Sequence, residues 1–317
     1  MSTPSSSQAA PWVQSGQMDL PHMGVIRVAG ADAASFLQGQ LTQDIVLLGG
    51  DGARLAGYCN AKGRMQASFI AIKRSAEEVL LLCARDSVAP MVKRLSMFVL
   101  RAKAKLSDAT TEYRMIGLCG STVDALKPAA APWSRMDMGA ASVVFLYPGA
   151  GVSRACWLAP MDATTPSGPE LPLAYWHWLS VRSGIAMVGP ATFEAFVPQM
   201  LNYESVGGVS FKKGCYPGQE VVARSQFRGT LKRRAYLVHS ASPLALGQEV
   251  FHASDPEQAC GLVAAAAPCP DGNGFDGIVS MQISAAEDSA AGQLRLSGDD
   301  GAALTVLPLP YPLLEDI

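Results

Sequence analysis

The C-terminal third of this sequence alternates short β-like runs with turns, and this alternation limits the possible folds more than any other feature. Glycine, proline and aspartate residues separate the runs. The runs cover residues 235–239, 249–252, 261–265, 277–283 and 303–307. Short strands with regular turns are typical of a small barrel or sandwich. We therefore predict a separate all-β barrel over residues 231–317.

The preceding residues, 20–230, mix strand and helix patterns and are predicted to form a larger region. Apolar residues between positions 88 and 99 fit one face of a helix at 86–99, which we expect to continue into a strand that ends at residue 106. Together with β-like segments at 55–59, 65–72 and 79–83, this indicates a compact αβ unit at 51–106. Residues 173–181 favour a helix, and the Ser-rich residues 1–19 are predicted to be a flexible tail.

The charge balance and the cysteine pattern exclude several classes of protein. Lys and Arg total 25 and Asp and Glu total 27, which argues against a generally polycationic nucleic-acid binder. The seven cysteines are scattered without C-x-x-C spacing, so we expect no stable metal site. There is no apolar run of membrane-spanning length and no signal-peptide pattern, so we expect a cytoplasmic protein without membrane contact.

The densest group of chemically informative residues is the run F-K-K-G-C-Y-P-G-Q-E at 211–220. Gly214 and Gly218 bracket Cys215 and Tyr216, and such glycines permit a tight, exposed turn that lets the backbone approach a ligand. A cation near a thiol favours the thiolate, so Lys213 is predicted to make Cys215 nucleophilic or able to bind metal.

Two side chains after this turn, those of Gln219 and Glu220, could hydrogen-bond the edge of a heterocycle. The alternative is a glycine-rich hairpin turn whose cysteine is inert. The residues by themselves leave both interpretations open.

The run at 211–220 closely resembles the K-G-C-Y-x-G-Q-E signature of the YgfZ family. Members of this family are folate-binding proteins similar to glycine-cleavage T proteins, linked to iron–sulfur cluster assembly and to tRNA modification. Other stretches agree with the family in order along the chain. They are G-A-D…F-L-Q-G-Q-L-T-Q-D at 30–44, N-A-K-G-R-M at 60–65, F-V-P-Q at 196–199 and G-G-V-S at 207–210.

The resemblance implies an α+β fold: a T-protein-like ring of three parts, with a discontinuous folate-binding region, the αβ unit inserted in it and the C-terminal barrel. It implies an accessory protein that binds tetrahydrofolate or a derivative and supports assembly or repair of iron–sulfur enzymes, including tRNA-modifying ones. Cys215 would act as a transient cluster ligand or a redox-sensitive nucleophile. A stable cluster usually needs four thiolates, so iron–sulfur assembly proteins or client enzymes would share it.

Further residues are assigned to folate by the same resemblance, and two departures from T proteins accompany them. Ala67 and Ser68 stand where T proteins carry an acidic pair, and without a carboxylate the usual proton-handling group for aminomethyl transfer is absent. Arg182 replaces a Glu that binds the pterin in T proteins. Of the two Trp residues that flank folate in YgfZ-type proteins, the later matches Trp176 and the earlier is replaced by Met23. The residues predicted to bind the cofactor are Trp176, Arg182, Gln199, Gln219, Glu220, Arg224 and Arg228.

A local concentration of positive charge follows the turn. Between residues 212 and 234, the only acidic residue is Glu220, and the basic residues are Lys212, Lys213, Arg224, Arg228, Lys232, Arg233 and Arg234. Such a run could hold a polyglutamate tail, a phosphate backbone or an acidic partner, or it could be a solvated strand face. Two other functions therefore stay open: a folate-dependent one-carbon transferase and a tRNA-contacting module.

Overall fold

Two five-stranded antiparallel sheets and a closed barrel make up the computed structural model, which describes residues 14–227, 231–289, 292–296 and 301–314. The first sheet contains, in spatial order, β1 (Gly16–Asp19), β7 (Tyr113–Cys119), β10 (Val152–Pro160), β9 (Ala141–Gly149) and β8 (Arg135–Met138). The second contains β3 (Arg54–Cys59), β4 (Met65–Ser75), β5 (Glu78–Ala84), β2 (Met23–Ala29) and β6 (Lys105–Asp108).

The barrel closes through pairing of its first and last strands. In spatial order it contains β11 (Arg233–Ser240), β14 (Phe275–Gln282), β13 (Asp255–Pro268), β12 (Glu249–His252), β15 (Leu294–Leu296) and β16 (Ala303–Leu307). Val238 faces the barrel interior, whereas Leu237 and Ile278 pack outward in the main core. This alternation is what a two-residue strand period predicts, and the predicted C-terminal barrel is confirmed.

Short helices cover the sheets. They are α1 (Ala33–Gln38), α2 (Val88–Ser96), α3 (Ser121–Asp124), α4 (Leu173–Arg182), α5 (Gln219–Phe227) and α6 (Ile283–Glu287). The predicted helix at 173–181 corresponds to α4. Among the described residues, no helix is long and apolar enough to cross a bilayer.

β4 is buried on both faces, which explains its nearly continuous apolar run. Ala67 and Phe69 pack into the cluster that contains α1 and α2 residues, whereas Ile70 and Ile72 pack into the core shared with the first sheet. A strand with one solvated face would instead alternate apolar and polar residues. The second sheet therefore lies between two apolar layers.

Three expectations from the sequence are corrected by the backbone pairing. Residues 16–19 form β1 and pair with β7, although they fall within the predicted tail. β2 pairs with β5 and β6, so the sheet of the αβ unit includes residues that precede position 51. The strand expected at 99–106 begins only at Lys105. In the loop before it, the backbone N of Lys103 donates to Asp32 Oδ2 at 2.7 Å and so does not pair with a strand.

Candidate functional site

The signature loop, residues 213–218, is anchored by the buried side chain of Lys213. Its Nζ donates to the carbonyl oxygen of Leu41 at 2.6 Å and to that of Gln38, the last residue of α1. Because the last carbonyls of a helix lack partners within it, a buried ammonium there satisfies one of them. Burial lowers the pKa of Lys213 to about 8, and Cys215 is near enough to interact with its charge. The tuning of Cys215 stays a prediction, since the hydrogen bonds of Lys213 go to backbone.

Two glycines allow the signature loop to pack against the N-A-K-G turn. Gly218 has a φ of +80°, and a Cβ built there would lie 2.4 Å from the carbonyl oxygen of Asn60. Gly63 has a φ of +72°, and its Cβ would lie 3.0 Å from Cβ of Val221. Left-handed backbone and close approach both favour glycine, so two motifs that are far apart in sequence meet here.

The segment after α1 is hydrogen-bonded to the G-G-V-S motif. Thr42 Oγ1 donates to the Gly208 carbonyl at 2.7 Å, and Ser210 N donates to the Thr42 carbonyl at 2.9 Å. Gln43 Nε2 donates to the Gly207 carbonyl at 2.7 Å. These bonds tie residues 207–210, which precede the signature loop, to residues 42–43. The carbonyls of Gln38 and Leu41, which accept the bonds from Lys213, lie just before residue 42.

The F-V-P-Q motif joins the same region from the other side. Arg64 Nη1 donates to the Ala195 carbonyl at 2.6 Å, and the fully buried Gln199 donates from Nε2 to the Val222 carbonyl at 2.8 Å. Gln199 Oε1 has no hydrogen-bond partner among the described residues. All five stretches that resemble the family therefore converge on one part of the molecule.

Cys215 is the exposed cysteine in this assembly. Of the seven cysteines, five are buried and Cys269 is partly buried. Burial raises the pKa of Cys59 and Cys156 to about 12, so these thiols stay protonated at neutral pH. Nothing lies within 4 Å of a Cβ built at Gly214, so the approach just before Cys215 is open. The exposed Cys215 therefore has open space beside it in the loop.

The remaining predicted residues of the loop and α5 differ in exposure. Tyr216 is 7% exposed, and Lys213 Nζ lies 4.7 Å from its ring centroid. Gln219 is partly exposed at the start of α5. Glu220 and Arg224 form an exposed pair at 2.8 Å, which contributes little to stability. The predicted ligand residue at position 228 lies outside the described residues.

The basic run is divided between structural and exposed side chains. Arg234 is buried, pairs with Glu204 at 2.6 Å and donates to the Leu314 carbonyl at 2.7 Å. Arg233 donates to the Cys260 carbonyl at 2.8 Å. Among the described residues of the run, the exposed cations are Lys212, Arg224 and Lys232. The run therefore does not form one continuous basic surface.

Two predicted folate residues, Trp176 and Arg182, have partners away from the signature loop. Trp176 is 4% exposed, and the Arg154 guanidinium lies 4.4 Å from its ring centroid. A Cβ built at Gly117 in β7 would lie 2.6 Å from the same ring, so the indole packs closely on that strand. Arg182 Nη1 lies 3.2 Å from Asp276 Oδ2 in the barrel. Gln199, by contrast, contacts α5 directly.

The positions of the T-protein acidic pair are closed. Ala67 and Ser68 are fully buried in β4. Ser68 Oγ lies 2.6 Å from the Tyr203 hydroxyl and accepts from Val188 N at 2.8 Å, while Tyr203 donates to the Ala186 carbonyl at 2.8 Å. Neither position therefore offers a carboxylate for the proton handling that aminomethyl transfer needs.

A hollow of about 420 Å³ lies beside Arg154 in β10, a residue that the sequence analysis did not single out. Arg154 is 5% exposed, donates to Ser180 Oγ at 2.6 Å and to the Tyr147 carbonyl at 3.5 Å, and its Nε has no partner among the described residues. Burial lowers its pKa to about 10. Lys127 and Asp124 line the same hollow. The sequence signal that could have identified Arg154 is the presence of a charged residue within the largely apolar run of β10.

Known proteins similar to this chain agree on one family. The family model of the GCVT N-terminal domain matches residues 10–146. The tRNA-modifying protein YgfZ of Edwardsiella ictaluri is 30% identical over 308 residues, which cover 90% of this chain and 89% of that protein. The protein of the same name from Shigella sonnei is 29% identical, with 94% of each chain covered.

A solved structure shows the same fold. The glycine cleavage system aminomethyltransferase T from Bartonella henselae aligns with a TM-score of 0.69 at 15% identity, over 95% of this chain and 87% of that one. This likeness confirms the α+β, T-protein-like architecture with a C-terminal barrel that the motifs implied. The Edwardsiella ictaluri relative, at 30% identity over 90% of this chain, shows that the chain belongs to the YgfZ family.

Proposed function

We propose that this protein is a cytoplasmic accessory factor that supports assembly or repair of iron–sulfur enzymes, including tRNA-modifying ones. The observation that carries the proposal is the convergence of four separated motifs on the signature loop, which presents the exposed Cys215. A loop anchored by a buried ammonium and two close glycine contacts holds its side chains in defined positions, as a functional site requires. The name of the relatives supports the link to tRNA modification.

Cys215 acts in this proposal as a transient thiolate ligand of a cluster that passes to a client enzyme. A cluster is usually held by four thiolates, so one cysteine supplies one ligand and a partner supplies the others. The open space beside Gly214 leaves room for that partner. The exposed Lys212 and Arg224 suit a partner with an acidic surface.

The role of Cys215 can be tested in a strain that lacks the gene for this protein and in which an iron–sulfur enzyme modifies tRNA. Cys215→Ser is expected to leave the modified tRNA at the level of the empty strain, and Ser96→Ala, an exposed change at the end of α2, is expected to restore it. The free energy of unfolding of Cys215→Ser should stay within about 0.5 kcal/mol of wild type, because the side chain is exposed. Full restoration of tRNA modification by Cys215→Ser would overturn the role of the thiol.

Folate-dependent transfer is disfavoured by the closed positions of Ala67 and Ser68. Neither side chain carries a carboxylate, and a general base must reach the proton that it abstracts. We expect no product in a single-turnover assay with tetrahydrofolate and an aminomethyl donor. Transfer that disappears when a named acidic residue is replaced would favour the transferase instead.

Among the described residues, a direct contact with tRNA is favoured by the exposed cations next to the signature loop, in the N-A-K-G turn and in α5, which are Lys212, Lys62 and Arg224. Phosphate contacts weaken steeply as salt rises. The double variant Lys212→Glu with Arg224→Glu is expected to abolish any salt-sensitive tRNA binding. Binding that is absent in wild type, or insensitive to salt, would leave the client enzyme as the partner.

A reduced folate is a separate part of the proposal. Arg182, which stands where T proteins carry the pterin-binding Glu, is paired with Asp276, whereas the hollow bordered by Arg154 and Lys127 suits the carboxylates of a glutamate tail. Titration with polyglutamylated tetrahydrofolate should show weaker binding for Lys127→Glu than for wild type. Lys93→Glu, the same charge change on α2, should bind as wild type does. Equal affinity of all three proteins for the folate would show that it does not bind in the hollow. That result would leave the proposed role of Cys215 unaffected.

A further inference from the structure

Three side chains of the barrel, far apart in sequence, bring possible metal-ligand atoms together. His239 Nδ1, Cys269 Sγ and a carboxylate oxygen of Asp276 all lie within 4.8 Å of one another. His239 Nδ1 is 2.9 Å from Asp276 Oδ1 and 3.9 Å from Cys269 Sγ. This cluster belongs to neither the signature loop nor the hollow beside Arg154.

We propose that His239 Nδ1, Cys269 Sγ and Asp276 Oδ1 bind Zn²⁺ or a cation of similar softness, with water as a fourth ligand. Imidazole, thiolate and carboxylate are the three side-chain ligands of zinc. Donor atoms around a tetrahedral zinc lie roughly 3.3–3.7 Å apart, given bonds of about 2.0–2.3 Å. The distances from His239 Nδ1 to Asp276 Oδ1, 2.9 Å, and to Cys269 Sγ, 3.9 Å, bracket that range. Small side-chain movements would therefore give the geometry that the ion needs. His239 is partly exposed, which gives water access to the fourth position.

Two of the three ligands lie on barrel strands, and the third lies in the turn that joins two of the strands. His239 in β11 and Asp276 in β14 are directly paired residues of adjacent strands. Cys269 follows β13 in the turn to β14, where its backbone N donates to the Gly274 carbonyl at 2.9 Å. Strand register therefore sets the positions of His239 and Asp276, and the backbone hydrogen bond of the turn holds Cys269, as in a preorganised site.

The second oxygen of Asp276 is oriented by residues of α4. Asp276 Oδ2 accepts from Trp178 Nε1 at 2.8 Å and lies 3.2 Å from Arg182 Nη1. Carboxylates that bind metals are commonly fixed by such hydrogen bonds to groups outside the ligand set. They direct Oδ1 toward His239 and Cys269. A bound cation would therefore also strengthen the contact between α4 and the barrel.

A nucleophilic Cys–His–Asp arrangement does not explain the geometry. In such a triad, the thiol and the carboxylate interact with opposite nitrogens of the imidazole. Here Cys269 and Asp276 both face His239 Nδ1. On binding, the cation replaces the proton of the Cys269 thiol, which leaves to solvent, and a thiolate–metal bond forms.

The test uses the full-length protein, first stripped with a chelator and then titrated with Co²⁺, whose thiolate complexes absorb in the near ultraviolet. Wild type is expected to bind one equivalent with a thiolate–cobalt band that Zn²⁺ removes. Cys269→Ser should lose the band, and His239→Gln should bind at least about tenfold more weakly. Glu257→Gln, an exposed charge change on β13, is the matched control and should behave as wild type.

Circular dichroism on each variant shows that the barrel is folded before the titrations are compared. The two ligand variants are chosen because their side chains are partly exposed, whereas Asp276 also holds α4. A folded wild type that takes up no Co²⁺ would overturn the proposal. So would a band that survives in Cys269→Ser and disappears in Cys215→Ser.

Discussion

Replacing Gly218 with alanine should disrupt the packing of the signature loop against the N-A-K-G turn at residues 60–63. Gly218 has a φ of +80°, and an added Cβ would lie 2.4 Å from the Asn60 carbonyl oxygen and 2.7 Å from both N and Cα of Gly63. All three atoms are backbone atoms, so no flexible side chain can move aside. Gly214, on the other side of Cys215, has neither a left-handed φ nor a neighbour within 4 Å of its Cβ.

The expected cost of Gly218→Ala follows from two effects. A non-glycine residue in left-handed backbone costs about 1–2 kcal/mol. Forcing a methyl group into a closely packed contact typically costs a further ~1–3 kcal/mol. The free energy of unfolding should therefore fall by about 2–5 kcal/mol. Gly214→Ala should be neutral or up to about 1 kcal/mol more stable, because alanine restricts the unfolded chain and meets nothing in the folded one.

Urea unfolding followed by tryptophan fluorescence measures both variants against wild type. The comparison is internal to one loop, since the two glycines flank the same cysteine. Ordinary surface substitutions change the free energy of unfolding by up to about 0.5 kcal/mol. If the free energies of unfolding of the two variants differ by less than that, close packing of the two motifs is not the reason for a glycine at position 218.

Three further perturbations test how the site is supported. Lys213→Met should lower the free energy of unfolding by about 1.5–3 kcal/mol in urea titrations, because two backbone carbonyls lose a charged donor. Tyr203→Phe should cost about 1–3 kcal/mol by the same measurement, since Ser68 loses its buried hydroxyl partner. Burial, followed by the nearby His177, lowers the pKa of His22 from 6.5 to about 4. Between those values the unfolded chain binds the proton and the folded chain does not, so the contribution of His22 to stability is complete above pH 6.5 and falls toward pH 4. His22→Gln should therefore reduce the loss of stability between about pH 7 and about pH 4.5, and an unchanged slope would contradict this assignment.

Local sequence patterns predicted much of the fold, because burial and backbone conformation leave local signals. Alternating residues and turn glycines indicated the barrel, and the apolar face at 88–99 indicated α2. The edge strand β1 left no such signal, since its order comes from pairing with β7. The position of β2 inside the second sheet was missed for the same reason: strand order is a property of long-range pairing, not of the strand itself.

The site divides in a similar way. The sequence by itself determined which residues form the signature loop, that Gly218 suits left-handed backbone, and which family the motifs resemble. Only the tertiary structure decided that Lys213 bonds to carbonyls more than 170 residues away, that Trp176 is covered by Arg154, and that His239, Cys269 and Asp276 meet. A local pattern records what each residue needs from its neighbours in the chain. Which distant group supplies a hydrogen bond, a charge or a ligand is set by the packing of sheets and barrel, and that packing leaves no mark at any single position.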